Sequence, residues 1–140
     1  MLLLLPYKAH APVDYRPWGT VGLIVFTIAV AALLGFPGDL GDADAPFVNA
    51  LVLRFGTLNP IQWATSVFVH LDEAHIASNM LFLWWFGLVV EGLIGWKRFV
   101  PLYVAIGTLS SGLTQILMLG ADGGGAAGAS GAIFGLMAIA

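Results

Sequence analysis

Residues 70–91 read HLDEAHIASNMLFLWWFGLVVE. The stretch opens with polar and acidic groups and then runs apolar through Phe82, Trp84, Trp85 and Phe86. Sunk in it are His75 and Asn79, four residues apart and therefore on one face of a helix. Polar side chains at one level of an apolar helix are costly, and mark either a function or a packed polar partner. Two readings stand level here: a hydrogen-bonded pair fixing one helix to another, or the wall of a wet pocket.

The composition names the solvent. The 140 residues are 59% hydrophobic and 9% charged, with a mean hydropathy of +0.93. Soluble domains carry about 25% charged residues, so this chain is read as an integral membrane protein. A net charge of −3 and the lack of a basic cluster exclude a nucleic-acid partner. The absence of cysteine rules out disulfides and thiolate metal sites. The opening MLLLLP is too short for a signal-peptide core and lacks a small-residue cleavage site, so it is taken as mature sequence.

Outward from the central stretch, residues 1–18 form a tail broken by Pro6, Pro12 and Pro17, an irregular lead-in. Residues 19–36 carry no charge and form the first span, rising about 27 Å as a helix against a hydrocarbon thickness of about 30 Å. After them, Asp39, Asp42 and Asp44 require water. Residues 47–69 are mostly apolar but interrupted by Arg54, Gly56, Asn59 and Pro60, which suits helical pieces in the interface. A full extra span is the competing reading of that segment.

The second span is expected over 74–95 and, past Lys97 and Arg98, the third over 99–120. A glycine-rich loop leads into Ser130, and 130–140 starts a fourth apolar stretch that reaches roughly halfway across a bilayer. The fold class is thus an all-α polytopic membrane protein. It has about three and a half spans plus an interfacial loop over 19–140, and the chain is expected to be an incomplete protein. The positive-inside rule puts Lys8, Arg16, Lys97 and Arg98 in the cytoplasm, with both long loops outside. That expectation is a multi-pass protein of the plasma (inner) membrane with a cytoplasmic N-terminus. His75 and Asn79 then lie near the outer end of span two. Glu91 lies about 24 Å deeper, where it reads as an interfacial carboxylate beside Lys97 and Arg98.

Ser130 stands in Gly128-Ala129-Ser130-Gly131 at the start of the fourth stretch. A serine at a helix N-terminus is surrounded by unpaired N–H groups and a dipole that favours negative charge, as the oxyanion of acyl transfer needs. On this segment alone the packing reading stands ahead: Gly131 and Gly135 make a GxxxG packing pair, with Ser130 read as an N-cap. The segment is not the G-x-S-x-G elbow of soluble hydrolases, because position 132 is Ala132. Nor do His70 and His75, five residues apart, match the four-residue spacing of H-E-x-x-H zinc sites.

Taken together, His70, His75 and Asn79 in the spacing H-x4-H-x3-N, followed by G-A-S-G-A-I-F-G, resemble the rhomboid intramembrane serine proteases. The resemblance runs over about Gly19 to Ala140 and includes WWFG and Glu91. It implies that Ser130 is the nucleophile of a serine–histidine dyad, with His75, Asn79 and the Ser130 N–H holding the oxyanion. It further implies that His70 lines a hydrated cavity, that Gly128 and Gly131 support the motif, and that Phe134 sits where an aromatic ring stacks on the catalytic histidine. The loop before His70 corresponds to the family's membrane-embedded lateral loop. The implied substrates are transmembrane helices of other proteins in the lipid bilayer, with no cofactor and no metal.

Two departures accompany the resemblance. Trp63 and Arg54 are separate here, whereas the family pairs a Trp and an Arg in that loop. The family's general base comes from a sixth span, and the remaining histidine, His10, falls on the cytoplasmic side. A serine hydroxyl without a base is a weak nucleophile, so the 140-residue chain by itself is expected to be inactive. Two other functions remain in view. One is a rhomboid-like protein that binds membrane helices without cutting them. The other is a transporter piece using His75, Asn79 and Gln115 as a polar path.

Overall fold

A computed structural model describes residues 16–36 and 46–140. The elements run α1 (Trp18–Leu34), α2 (Pro46–Leu51), β1 (Leu53–Arg54), α3 (Pro60–Thr65), α4 (Glu73–Ile94), α5 (Trp96–Leu117), β2 (Gly125–Ala126) and α6 (Ser130–Ile139). Lys8, His10 and the Asp39, Asp42 and Asp44 segment lie outside the described residues.

The central stretch folds as read. Asp72 caps α4 by accepting from the His75 N–H at 2.7 Å, and Glu73 adds a negative charge in the first turn. The helix then runs 22 residues to Gly95. Gly95 adopts φ 77°, a conformation open to glycine, so the chain reverses in one residue and α5 starts at Trp96. The third span therefore begins three residues earlier than expected, with Lys97 and Arg98 inside its first turn. Their long side chains can reach the interface from there, so the charges do not force a loop.

α4 is the middle of the bundle, touching α1, α5 and α6, and α5 packs along α6. Leu83, Val90, Phe99, Tyr103 and Leu136 are fully buried between them. The outward faces are also apolar, with Val25, Phe26 and Leu33 of α1 and Leu109, Leu113, Ile116 and Leu117 of α5 exposed. An apolar exterior around an apolar core belongs in hydrocarbon, not water. α4 and α5, 22 residues each, are long and apolar enough to cross it.

Glu91 is not an interfacial carboxylate paired with Lys97 and Arg98. It is fully buried, and it accepts from the Gly19 N–H at 2.8 Å, the Thr20 N–H at 2.6 Å and the Thr20 hydroxyl at 2.6 Å. Those N–H groups belong to the first turn of α1, whose N-cap, Pro17, offers no capping side chain. A carboxylate from α4 thus caps α1 at its positive end. A Cβ on Gly19 would come 2.9 Å from the Phe99 ring and 3.2 Å from the Glu91 carboxyl carbon, so this approach requires glycine.

Residues 46–66 form short helical pieces, as the interrupted hydropathy indicated, and none is long enough to span. Asn59 caps α3 by accepting from the Ile61 N–H. The segment is pinned by Gln115 of α5, which is fully buried. The Gln115 carbonyl accepts from the Asn59 N–H at 2.9 Å and the Trp63 indole N–H at 2.6 Å, and its amide donates to the Arg54 carbonyl at 2.8 Å. Trp63 and Arg54, separate in sequence, thus meet at one amide. β1 pairs antiparallel with β2, Leu53 opposite Ala126 and Arg54 opposite Gly125, a two-residue ladder that the helical reading did not anticipate.

Replacing Glu91 with alanine leaves three buried donors unpaired. The expected loss is about 3 kcal/mol or more, with Glu91→Gln costing roughly 1–2 kcal/mol because one carbonyl acceptor remains. Unfolding in a denaturing-detergent titration, followed by tryptophan fluorescence, measures both. Glu91→Ala stability equal to the parent's would remove the capping role.

Candidate functional site

The glycine-rich loop turns into α6 through residues tethered to the rest of the bundle. The Gly128 N–H donates to the Ser66 carbonyl at 2.8 Å, and the Ala129 N–H donates to His70 Nε2 at 3.4 Å. Gly128 has φ 119°, which a side chain rarely adopts. A Cβ there would lie 2.7 Å from His75 Cε1, 2.8 Å from its Nε2 and 3.5 Å from Asn79 Nδ2. The His75 and Asn79 side chains therefore face the backbone just ahead of Ser130.

Ser130 is the first residue of α6, not its N-cap; Ala129 holds that position and no side chain caps the helix. The Ser130 hydroxyl makes no hydrogen bond with a described residue. It lines two cavities. One, of about 330 Å³, it shares with His75, Ser78, Asn79 and Phe134. The other, of about 270 Å³, lies towards α5 and the preceding loop and carries the hydroxyls of Ser66, Ser110, Ser111 and Thr114. Asn79 Nδ2 is buried without a partner among the described residues. A buried amide donor in that state is costly, and a ligand oxygen or water at the site would satisfy it.

The packing and the chemical readings of the motif are carried by neighbouring residues of α6. Gly131 lies against Ser110 and Gly135 against Ile106, both on α5, so close that no Cβ fits. Ser130 meanwhile faces the cavities. Phe134 is 65% exposed, lines both cavities, and makes no ring contact with His70 or His75.

His70 is 1% exposed, and it lines neither cavity that holds Ser130. Its ring stands edge-on to His75 at 5.2 Å between centroids. Burial, with the neighbouring His75, lowers its pKa from 6.5 to about 4. The neutral ring is the form that can accept at Nε2 from the Ala129 N–H. His70 thus acts on the Ser130 loop through the backbone. Ser66, Ser110 and Ser111 were not singled out from the sequence; two adjacent serines inside an uncharged span were the available signal. Among the described residues no three His, Asp or Glu side chains converge as a metal site requires.

Residues 58–140, more than half the chain, match the family model described as Rhomboid domain. The chain belongs to the rhomboid family. With its long apolar helices, this makes it an integral membrane protein. Rhomboid protease GluP of Bacillus subtilis (strain 168) is 40% identical over 73 residues, covering 52% of this rhomboid and 14% of the relative. Rhomboid protease GlpG of Yersinia pestis (strain Pestoides F) is 26% identical over 121 residues, 84% of this chain and 40% of that protein. The mitochondrial presenilin-associated rhomboid-like protein of Bos taurus is 28% identical over 100 residues, 66% and 26% of the two chains. This rhomboid spans less than half the length of these curated relatives. No solved structure matches the chain.

Two measurements probe the site's construction. Gly128→Ala forces a strained φ and drives a methyl into the His75 ring, so a stability loss of about 2 kcal/mol or more is expected in the same unfolding titration. For His70 the folded state holds the neutral form down to about pH 4, whereas the unfolded chain protonates near 6.5. Its contribution to stability is therefore complete above pH 6.5 and is lost as the pH falls from there towards about 4. Comparison with His70→Gln isolates the effect; the same pH slope in both proteins would refute it.

Proposed function

We propose that this rhomboid is an intramembrane serine endopeptidase with Ser130 as nucleophile. The observation that carries the reading is the shared cavity: the Ser130 hydroxyl and the Asn79 amide nitrogen, both without a partner among the described residues, border one space with His75 at the N-terminus of α6. In this scheme Ser130 Oγ adds to the carbonyl carbon of a substrate peptide. The negative charge that develops on the carbonyl oxygen is met by Asn79 Nδ2, His75 and the Ser130 N–H, where the helix dipole adds to the stabilisation. Collapse of the tetrahedral species breaks the C–N bond, the proton given up by the Ser130 hydroxyl passes through the base of the dyad to the leaving amine, and an acyl-serine remains. Water then hydrolyses the ester and restores the hydroxyl. The hydroxyl-lined cavity on the other side of Ser130 is large enough for several waters at about 30 Å³ each.

The base of the dyad is assigned to neither described histidine. His70 is buried and accepts from the Ala129 N–H, and His75 serves as an oxyanion donor. Substrates are transmembrane helices of other proteins, cut near the outer membrane face by a protein whose N-terminus is cytoplasmic, in a plasma (inner) membrane. No cofactor takes part.

The test uses the purified full-length protein and a fluorophosphonate probe. Labelling is expected at Ser130 and absent in Ser130→Ala. Asn79→Ala is expected to lower kcat about 10²-fold with little change in KM, as for removal of one oxyanion donor. Labelling that survives Ser130→Ala, or capture of a transmembrane helix without any cleavage, would replace the protease with a helix-binding protein.

A further inference from the structure

At the opposite end of α4 from the serine site, a groove of about 510 Å³ opens between the N-terminal ends of α1 and α5. Its walls are Trp18, Gly19, Gly22, Leu23, Trp96 and Val100. Trp18 and Trp96 are 63% and 48% exposed. Paired exposed tryptophans at one level are the usual mark of the boundary between hydrocarbon and head groups. Beside them stand three exposed cations: Arg16, two residues before Trp18, and Lys97 and Arg98, directly after Trp96. Lys97 Nζ sits 5.8 Å from the centroid of the Trp96 ring.

Among the described residues the charge at this rim is unbalanced, and none of the three cations has a carboxylate partner there. Glu91, the nearest described acid, is sealed from solvent and spends its oxygens on the first turn of α1. Asp72 and Glu73 begin the far end of α4, about 30 Å away along a 22-residue helix. A groove with apolar walls offers water few partners, so in a bilayer a lipid chain fills it. The cations at its mouth then select which lipid.

The geometry points to a binding site for an anionic phospholipid, with one acyl chain in the α1–α5 groove and the phosphate among Arg16, Lys97 and Arg98. Such a lipid ties together the two helix starts that Glu91 joins from the inside. The site depends on membrane residence and not on the chemistry of Ser130.

Native mass spectrometry of the purified full protein, titrated with equimolar phosphatidylglycerol and phosphatidylcholine, reads the selection directly. Retained phosphatidylglycerol is expected to exceed phosphatidylcholine by about tenfold or more, given three cations near one phosphate. Replacing Arg16, Lys97 and Arg98 together by glutamine is expected to abolish the preference. Gly22→Leu fills the groove but leaves every charge in place; a Cβ at Gly22 meets nothing within 4 Å, so the fold accommodates it. That variant is expected to lose the retained lipid while its thermal unfolding stays that of the parent. Equal retention of the two lipids by the parent would overturn the proposal. So would undiminished phosphatidylglycerol retention in Gly22→Leu, or displacement by millimolar inorganic phosphate, since either describes a basic patch without an acyl groove.

Discussion

Hydrocarbon supplies no hydrogen bonds, so every polar group placed in this bundle needs a partner from the chain itself. Glu91 answers that demand most completely. Its carboxylate takes the N–H groups of Gly19 and Thr20 and the Thr20 hydroxyl, which gives α1 the cap that Pro17 lacks. The same contact sets the distance between α1 and α4, and Gly19 lets Phe99 of α5 close in beside it. Three helices are thereby registered at one level by one side chain.

Gln115 plays the corresponding part at the other end. A single neutral amide gathers the Asn59 N–H, the Trp63 indole and the Arg54 carbonyl, and so fastens the irregular segment 46–66 to α5. That segment in turn supports the serine. Its last turns present the Ser66 carbonyl to the Gly128 N–H, and the chain beyond them presents His70 to Ala129. The β1–β2 ladder holds the two loops side by side just upstream. The backbone ahead of Ser130 is therefore anchored at two points, as the oxyanion site proposed there would require.

The short helix α6 accommodates two demands that compete in the sequence. Small residues at Gly131 and Gly135 let it press against α5, and the turn that carries them leaves Ser130 at the border of two cavities.

Hydropathy alone pointed to the solvent and the helical class and located the long helices to within a few residues, because an apolar side chain favours hydrocarbon whatever its neighbours. Spacing placed His75 and Asn79 on one face, and the rhomboid motifs brought Ser130 to them across some fifty residues. Partners were a different matter. Glu91 beside Lys97 and Arg98 looked like an interfacial ion pair, and only the packing of α1 on α4 made it a buried cap. His70 offered no partner in the sequence, and only the return of the glycine-rich loop brought the Ala129 N–H to its ring. Which groups a polar side chain meets is set by helices far apart in the chain. Sequence therefore states which polar residues need partners, and the tertiary structure decides who those partners are.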